Sequence, residues 1–414
     1  MSLRSFYFYN QQLRQALHSD LHLFELSVWI QAFAQSLFSV FIPIILWRLG
    51  FTIQNILGFY FIFNLLDVPL NLVARHLIVR FGARTVLIIS ICANLVYLIT
   101  LFNLSNSWTQ ILILAAALAI FDSFYWVSHI YIFVRSAHAS EKMRHDVGTL
   151  NIVRDIGGLL APALGALVLI VSSPRTLIFF STILMFSSLI PLSRMRHLVF
   201  KPEEKVKSFR EFFRQPVEKI NYFLEALGAI HVEIEDVIWP FFVFLLFKSV
   251  QPVALIAVTI SFAGLVVTYL TSKYSVRQNI YRLVSYGGLA LAFLWTMRAI
   301  SPNSTTVLYV TVFLIALTGI LVDIPMDVAI FERSRHTDML STATYRNLFR
   351  MGARALFYLW LLFAPGLLFR NSLGIVITTM LVLFAFSMIV SLRVDRRSLM
   401  EPPPTEMEDI ERVA

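Results

Sequence analysis

Twelve apolar runs, each about twenty residues long, constrain this chain more than any other feature. They lie at 23–47, 55–74, 85–102, 108–134, 149–171, 176–192, 220–247, 252–270, 280–300, 305–331, 347–368 and 371–392. Each is long enough to cross a bilayer as a helix, and a helix satisfies its own backbone hydrogen bonds in lipid. Barrel strands would be about half that length and would alternate in polarity, which these runs do not. Hydrophobic residues make up 58% of the 414 and charged residues 14%. That is more apolar surface than a soluble core of this size can hide. The pattern predicts an all-α membrane protein, embedded in lipid and crossing it many times.

A duplicated phrase sorts the runs into two sets of six. Ile132-Phe133-Val134-Arg135-Ser136-Ala137-His138 recurs as Ile330-Phe331-Glu332-Arg333-Ser334-Arg335-His336, five of seven positions identical at an offset of 198. Each copy is followed by a matching partner, Asn151-Ile152-Val153-Arg154 and Asn347-Leu348-Phe349-Arg350. In both places the phrase ends an apolar run and the partner opens the next. A half-chain repeat in an apolar protein indicates a duplicated bundle, an architecture of secondary transporters. The expected organisation is an interfacial N-terminal segment (1–22), a six-helix bundle (23–193), a linker (194–219), a second six-helix bundle (220–392) and a disordered tail (393–414). Two pseudo-symmetric bundles make twelve transmembrane helices.

Lysine and arginine orient the chain. With the N-terminus cytoplasmic, the inner segments hold 26 of the 34 basic residues. The outer loops hold 5 (Arg48, Arg175, Lys248, Arg298, Arg370), and Arg154, Arg350 and Arg354 lie within spans. The asymmetry places both termini in the cytoplasm, in a plasma or inner membrane. It also explains the net charge of +9, which is dispersed over short loops rather than gathered into a nucleic-acid face. No cleavable signal peptide is apparent, because residues 5–18 lack a compact apolar core. The single Cys92 leaves no intrachain disulfide and no cysteine metal site. The linker carries a helical stripe, Phe209, Phe212 and Phe213, among basic residues, and is expected to lie on the inner leaflet. The tail from Met400 is proline-rich and then acidic.

This architecture resembles the major facilitator superfamily, and two local motifs add to the likeness. Arg80-Phe81-Gly82-Ala83-Arg84 follows span 2 and is similar to the end of that family's loop motif, which builds a charge-relay gate. Here Arg75 stands where the family has Gly and Val79 where it has Asp. In span 5, Gly148, Gly157, Ala161, Pro162 and Gly165 are similar to the family's helix-5 antiporter motif, with Ala161 at a usual Gly position. Small residues at such spacing let two helices approach closely, and proline permits a kink. In the family the motif occurs mainly in proton-coupled exporters, so the resemblance implies efflux.

Charges inside spans are the candidates for function. One charge at mid-bilayer costs about 2.5–3.5 kcal/mol, and three facing lipid would cost on the order of 8–10 kcal/mol. Span 7 carries Glu225, His231, Glu233, Glu235 and Asp236; these are expected to line water or share protons, with His231 and Glu235 one turn apart. Span 4 carries Asp122, Trp126 and His129 on one face, and span 10 carries Asp323 and Asp327 one turn apart. In the resembled fold, helices 1, 4, 7 and 10 line the central cavity, so these residues are the expected substrate and proton pathway. Asp67 and Asp323 each precede a proline by two residues, where the helix lacks a donor and can hinge. Arg154 and Arg350, one per half, are expected to form an inner gate with Asp67, Asp155 or Glu25; binding an anionic substrate or snorkelling are the alternatives. Arg80, Gly82 and Arg84 join the gating set.

No phosphate-binding loop is present, which excludes a P-loop pump. His138, His145 and His336 lack metal-ligand spacing, and no activated nucleophile accompanies Asp122 and His129. Neither metal nor cofactor nor enzymatic activity is expected. The reading is a secondary transporter moving a small organic solute by alternating access, with protons driving export. A symporter or facilitator for uptake is the rival within the class. A membrane scaffold or receptor, or a lipid-modifying enzyme, is the rival outside it.

Overall fold

The computed structural model describes residues 23–105, 107–138, 160–195, 207–214, 216–273, 280–300, 304–334 and 338–363. Every regular element among them is helical. The expected interfacial segment, the twelfth span and the tail lie outside the described residues.

The first half opens with α1 (Leu23–Arg48), α2 (Ile53–Phe81), α3 (Ala83–Phe102) and α4 (Trp108–His138). It continues with α5 (Leu160–Val171) and α6 (Pro174–Arg194). Helix α1 is not continuous. Pro43 cannot donate to a carbonyl one turn back, and the chain tightens to a 3-10 turn over Ser39–Phe41 before resuming. Thr52 caps α2 by accepting from the Asn55 amide at 3.3 Å. Gly82, at φ 86°, closes α2 and opens α3, a backbone conformation that a side chain would strain.

The second half begins with a one-turn helix, Phe209–Phe212, closed by a reciprocal Ser208–Glu211 capping box. Then come α7 (216–247), α8 (Gln251–Lys273), α9 (Ile280–Ile300), α10 (Thr305–Ser334) and α11 (Met339–Phe363). Helix α7 contains a π-helical turn over Ile234–Ile238. Such a turn inserts one residue into the helix and is found most often at functional sites.

Helices α3 with α4, α2 with α4 and α3 with α6 build the first bundle; α7 with α11, α9 with α10 and α8 with α10 build the second. The halves meet chiefly where α11 packs along α2 and against α4. Tyr60 stacks on Tyr358 at 5.3 Å near one end of that seam, and Arg75 meets Tyr345 near the other. The latter is called the linker end below, since it holds residues 207–214. At the far end α1 touches α7, with Trp47 edge-on to Phe241 at 6.3 Å and Arg48 over Phe244.

Among the described residues, six helices are long and apolar enough to cross a membrane: α1, α2, α3, the apolar part of α4, α6 and the first nineteen residues of α10. Large apolar side chains such as Val96, Ile99, Phe179, Phe186, Phe262 and Phe293 point outward from the bundles. They form the belt that lipid covers. Helices α7, α9 and α11 hold most of the buried charge.

Two expectations need correction. Span 11 was expected to start at 347, but the helix starts at Met339, because Asp338 caps it: its Oδ1 accepts from the Leu340 and Ser341 amides at 3.0 and 3.2 Å. The first turns are polar yet buried, with Ser341, Thr344 and Tyr345 almost wholly enclosed, so a search for apolar runs passes over them. Two of the three residues of the linker's aromatic stripe face protein, while Phe209 is half exposed. Phe212 and Phe213 are buried against Tyr222 of α7 and Tyr345 of α11, because those helices present an aromatic surface at that point.

Candidate functional site

Three acids of α7, in four acid–guanidine bridges, tie it to its neighbours. Glu225 lies 2.9 Å from Arg350 Nη1 and 3.2 Å from Arg346 Nε, both on α11, and Arg346 in turn binds Asp327 of α10. Immediately before the π-helix, Glu233 accepts from the Tyr358 hydroxyl at 2.6 Å and pairs with Arg354 at 3.2 Å. Within the π-helix, Glu235 takes both ends of the Arg298 guanidinium, at 2.5 and 3.2 Å. Arg298 also donates to Thr311 Oγ1 at 3.0 Å and lies over Trp239 and Trp295, at 4.3 and 4.6 Å from their ring centres. Positions two apart do not share a helix face, so Glu233 meets α11 while Glu235 meets α9.

These pairs give Glu233 and Glu235 arginine partners that the sequence reading did not assign to them. Arg298 had been assigned to an outer loop and is 1% exposed inside α9; Arg346 had been assigned to an inner segment and is 9% exposed inside α11. Asp236 forms no ion pair among the described residues, and neither does Asp323.

A cavity of ≈ 70 Å³ sits inside the second half. Glu225 and His231 of α7, Asp323 of α10 and Arg350 of α11 supply its polar wall. Gly228, Gly288 and Gly319 supply the rest of its breadth by having no side chains. His231 approaches Gly319 closely: a Cβ there would lie 3.7 Å from the imidazole Cε1.

In the first half, Asp67 of α2 is fully buried. Its Oδ1 accepts from Asn71 at 2.6 Å and from Asn347 of α11 at 3.4 Å, while Asn347 also donates to Asn71 Oδ1 at 2.8 Å. Asp122 of α4 lies near this group, with its Oδ2 buried and without a hydrogen-bond partner. Further along α4, His129 is enclosed by rings: Tyr125 stacks on it at 5.3 Å, Trp126 meets it edge-on at 5.5 Å, and Phe24 of α1 tilts over it at 5.3 Å. The expected shared face of α4 therefore serves two places, Asp122 at the seam between halves and His129 in an aromatic box.

Of the described members of the expected gate, Asp67 bonds Asn347 across the seam, while Arg80, Arg84 and Arg350 are engaged within their own halves. Arg84 donates to the Leu192 and Ser193 carbonyls at 3.1 and 2.6 Å, fastening α3 to the end of α6 within one half. Arg80 lies over the ring of its neighbour Phe81. Arg350 is held by Glu225 in its own half rather than bridging to Asp67 or Glu25. Arg154, Asp155, Gly148 and Gly157 lie outside the described residues. The contact between halves at the linker end is made by residues the sequence reading passed over. Arg75 donates to Tyr345 Oη at 2.9 Å and to the Lys207 carbonyl at 3.4 Å, and the Lys207 amide donates to Asp338 at 2.9 Å. Of the helix-5 set, Ala161 and Pro162 are buried, and Gly165 sits against the break in α1. A Cβ on Gly165 would come within 2.0 Å of the Leu37 carbonyl oxygen.

Two helical halves meeting along α2 and α11, with charge concentrated at that seam and in a cavity beside it, define a helical membrane transporter. The Major Facilitator Superfamily model matches residues 25–358, and the chain belongs to that family. No curated protein matches the sequence. Among solved structures the chain is similar to the human organic anion transporter MFSD10 (TETRAN). That match has a TM-score of 0.64 and 14% identity, over 91% of this chain and 99% of the other. It is also similar to a bacterial homologue of the iron transporter ferroportin in its outward-facing state, with a TM-score of 0.62 and 14% identity over 90% and 98% of the two chains. At that identity the likeness is one of fold. The chain is a multi-pass membrane transporter working by alternating access, and not an enzyme.

Proposed function

We propose that this transporter is a secondary active exporter of a small organic solute, driven by protons moving the opposite way. The carrying observation is the cavity between α7, α9, α10 and α11, where Asp323 stands without a guanidinium beside His231 and the Glu225–Arg350 pair. An ionisable group inside a membrane bundle is costly and is retained for a substrate or ion path. The charge balance favours a cationic or neutral solute. An organic anion, the class in the name of the human neighbour, would find Arg350 already held by Glu225 and would meet Asp323 in the same space.

The export direction is supported by Gly165, whose missing side chain seats α5 on the kink of α1 as the helix-5 motif of exporters implies. The basic asymmetry of the loops supports cytoplasmic termini and a plasma or inner membrane. Reconstitution into liposomes loaded with a pH-sensitive dye, presented with a solute library, tests the reading. The expected result is solute entry or exit accompanied by opposite proton movement. Solute movement that leaves the internal pH untouched would replace this reading with facilitated diffusion.

A further inference from the structure

We propose that the cavity of the second half takes a primary alkylammonium ion, its charge against Asp323 and its size set by three glycines. The inference rests on the transport reading above and supplies the solute's chemical class. Gly228 of α7, Gly288 of α9 and Gly319 of α10 all line the cavity. Glycines in membrane helices ordinarily let two helices close on each other. Two glycines of this chain do so. A Cβ on Gly165 would lie 2.0 Å from the Leu37 carbonyl oxygen, and one on Gly287, next to Gly288, would lie 2.4 Å from Val322 Cγ2. The cavity glycines behave otherwise. A Cβ on Gly228 would meet nothing within 4 Å, and one on Gly319 would make an ordinary contact, 3.7 Å from His231. Their missing side chains leave space instead of drawing helices together.

The lining of that space selects the occupant. Asp323 is exposed while Glu225 and His231 are buried, so the cavity opens on the side of Asp323. Glu225 is already matched by Arg350 at 2.9 Å and Arg346 at 3.2 Å. Asp323 has no ion pair among the described residues, so the charge left to balance in the wall is negative. Leu224, Leu227, Leu291 and Met326 add an apolar lining that suits a short hydrocarbon chain. The cavity's ≈ 70 Å³ is roughly half the volume of one that holds benzene, which leaves room for about three or four non-hydrogen atoms. Propylammonium fits that space and carries its charge at neutral pH, as a lysine does. Butyrate would set a second negative charge against Asp323, and tetraethylammonium is too large.

Saturation-transfer NMR on the full chain in nanodiscs reads the binding, with empty nanodiscs as the blank for partition into lipid. The wild type should bind methylammonium and propylammonium, and neither butyrate nor tetraethylammonium. Gly228→Ala should melt no lower than the wild type, since the methyl finds room and alanine favours the helix. It should nevertheless weaken propylammonium by about tenfold relative to methylammonium. Asp323→Asn should weaken both amines by roughly tenfold or more. Gly58→Ala, whose Cβ would lie 3.6 Å from Trp108 and away from the cavity, should leave binding unchanged. A wild type that binds no amine, or that binds butyrate or tetraethylammonium equally well, overturns the proposal. So does an unaltered amine preference in folded Gly228→Ala, or unaltered affinity in Asp323→Asn. Gly319→Ala decides should Gly228→Ala misfold, and misfolding of both would make the glycines packing residues and overturn the proposal as well. Failure of the export reading registers separately: the liposome assay would then show no opposite proton movement with any solute, while amine binding and its dependence on Gly228 would stand.

Discussion

Arg298 is the most tightly specified of the buried cations. It answers a carboxylate, a hydroxyl and two indoles at once, and each contact needs the flat, forked guanidinium. Arg298→Ala would leave Glu235 buried and unpaired, a loss of about 3–5 kcal/mol. The melting temperature in detergent should fall sharply, and Arg298→Lys should recover only part of it. Full recovery by lysine would mean that the charge matters and the stacking does not. Gly165 is constrained in the opposite way, by space. Adding one methyl puts carbon against a backbone oxygen that no rotamer change can move. Overpacking of this kind costs about 1–3 kcal/mol even where side chains can yield. Gly165→Ala should therefore lower expression and thermal stability, and normal behaviour of that variant would show that α1 and α5 are free to slide apart.

At the scale of the element, the start of α11 is held by one side chain. Asp338 satisfies two amides of the first turn and also receives the Lys207 amide from the linker. An N-cap is worth about 1 kcal/mol, and here its removal also releases the strap across the seam. Asp338→Ala should speed hydrogen exchange at residues 340–342 and loosen the aromatic packing of Phe212 and Phe213 on Tyr345. Exchange rates equal to those of the wild type would assign the strap to the rings alone. The sequence made the apolar helices plain because burial in lipid writes one simple pattern. It hid the beginning of α11, where polar residues are buried in protein. No window of mean hydropathy separates a polar turn enclosed by neighbours from a polar turn in water.

For the whole molecule, the twelve-span, two-bundle reading came from periodicity, repeat and family resemblance together, and the family match agrees with it. The pairings inside the bundle were not legible. Glu235 and Arg298 are 63 positions apart, and Glu225 and Arg350 are 125 apart. Nothing local says which acid meets which base. The acids of span 7 were visible as a cluster, but their partners were scattered over α9 and α11 and partly assigned to loops. A surplus of arginines next to apolar runs was the available signal, since each such arginine needs a counter-charge. The orientation of the fold in the membrane has its own test. With the linker end inside, a cysteine at Ser208 should resist an impermeant thiol reagent added to intact cells, and one at Ser304 should react. The reverse labelling would invert the topology.

The two indoles around Arg298 also make the protein its own optical gauge. Trp239 and Trp295 lie edge to face at 5.8 Å with the guanidinium against both, in a place that water does not reach. Their emission is set by that cation and by the dryness of the site. Any movement that separates α7 from α9 changes both at once. A chain with Trp239 and Trp295 as its remaining tryptophans would signal the working cycle in its own fluorescence, without a dye and without a known cargo.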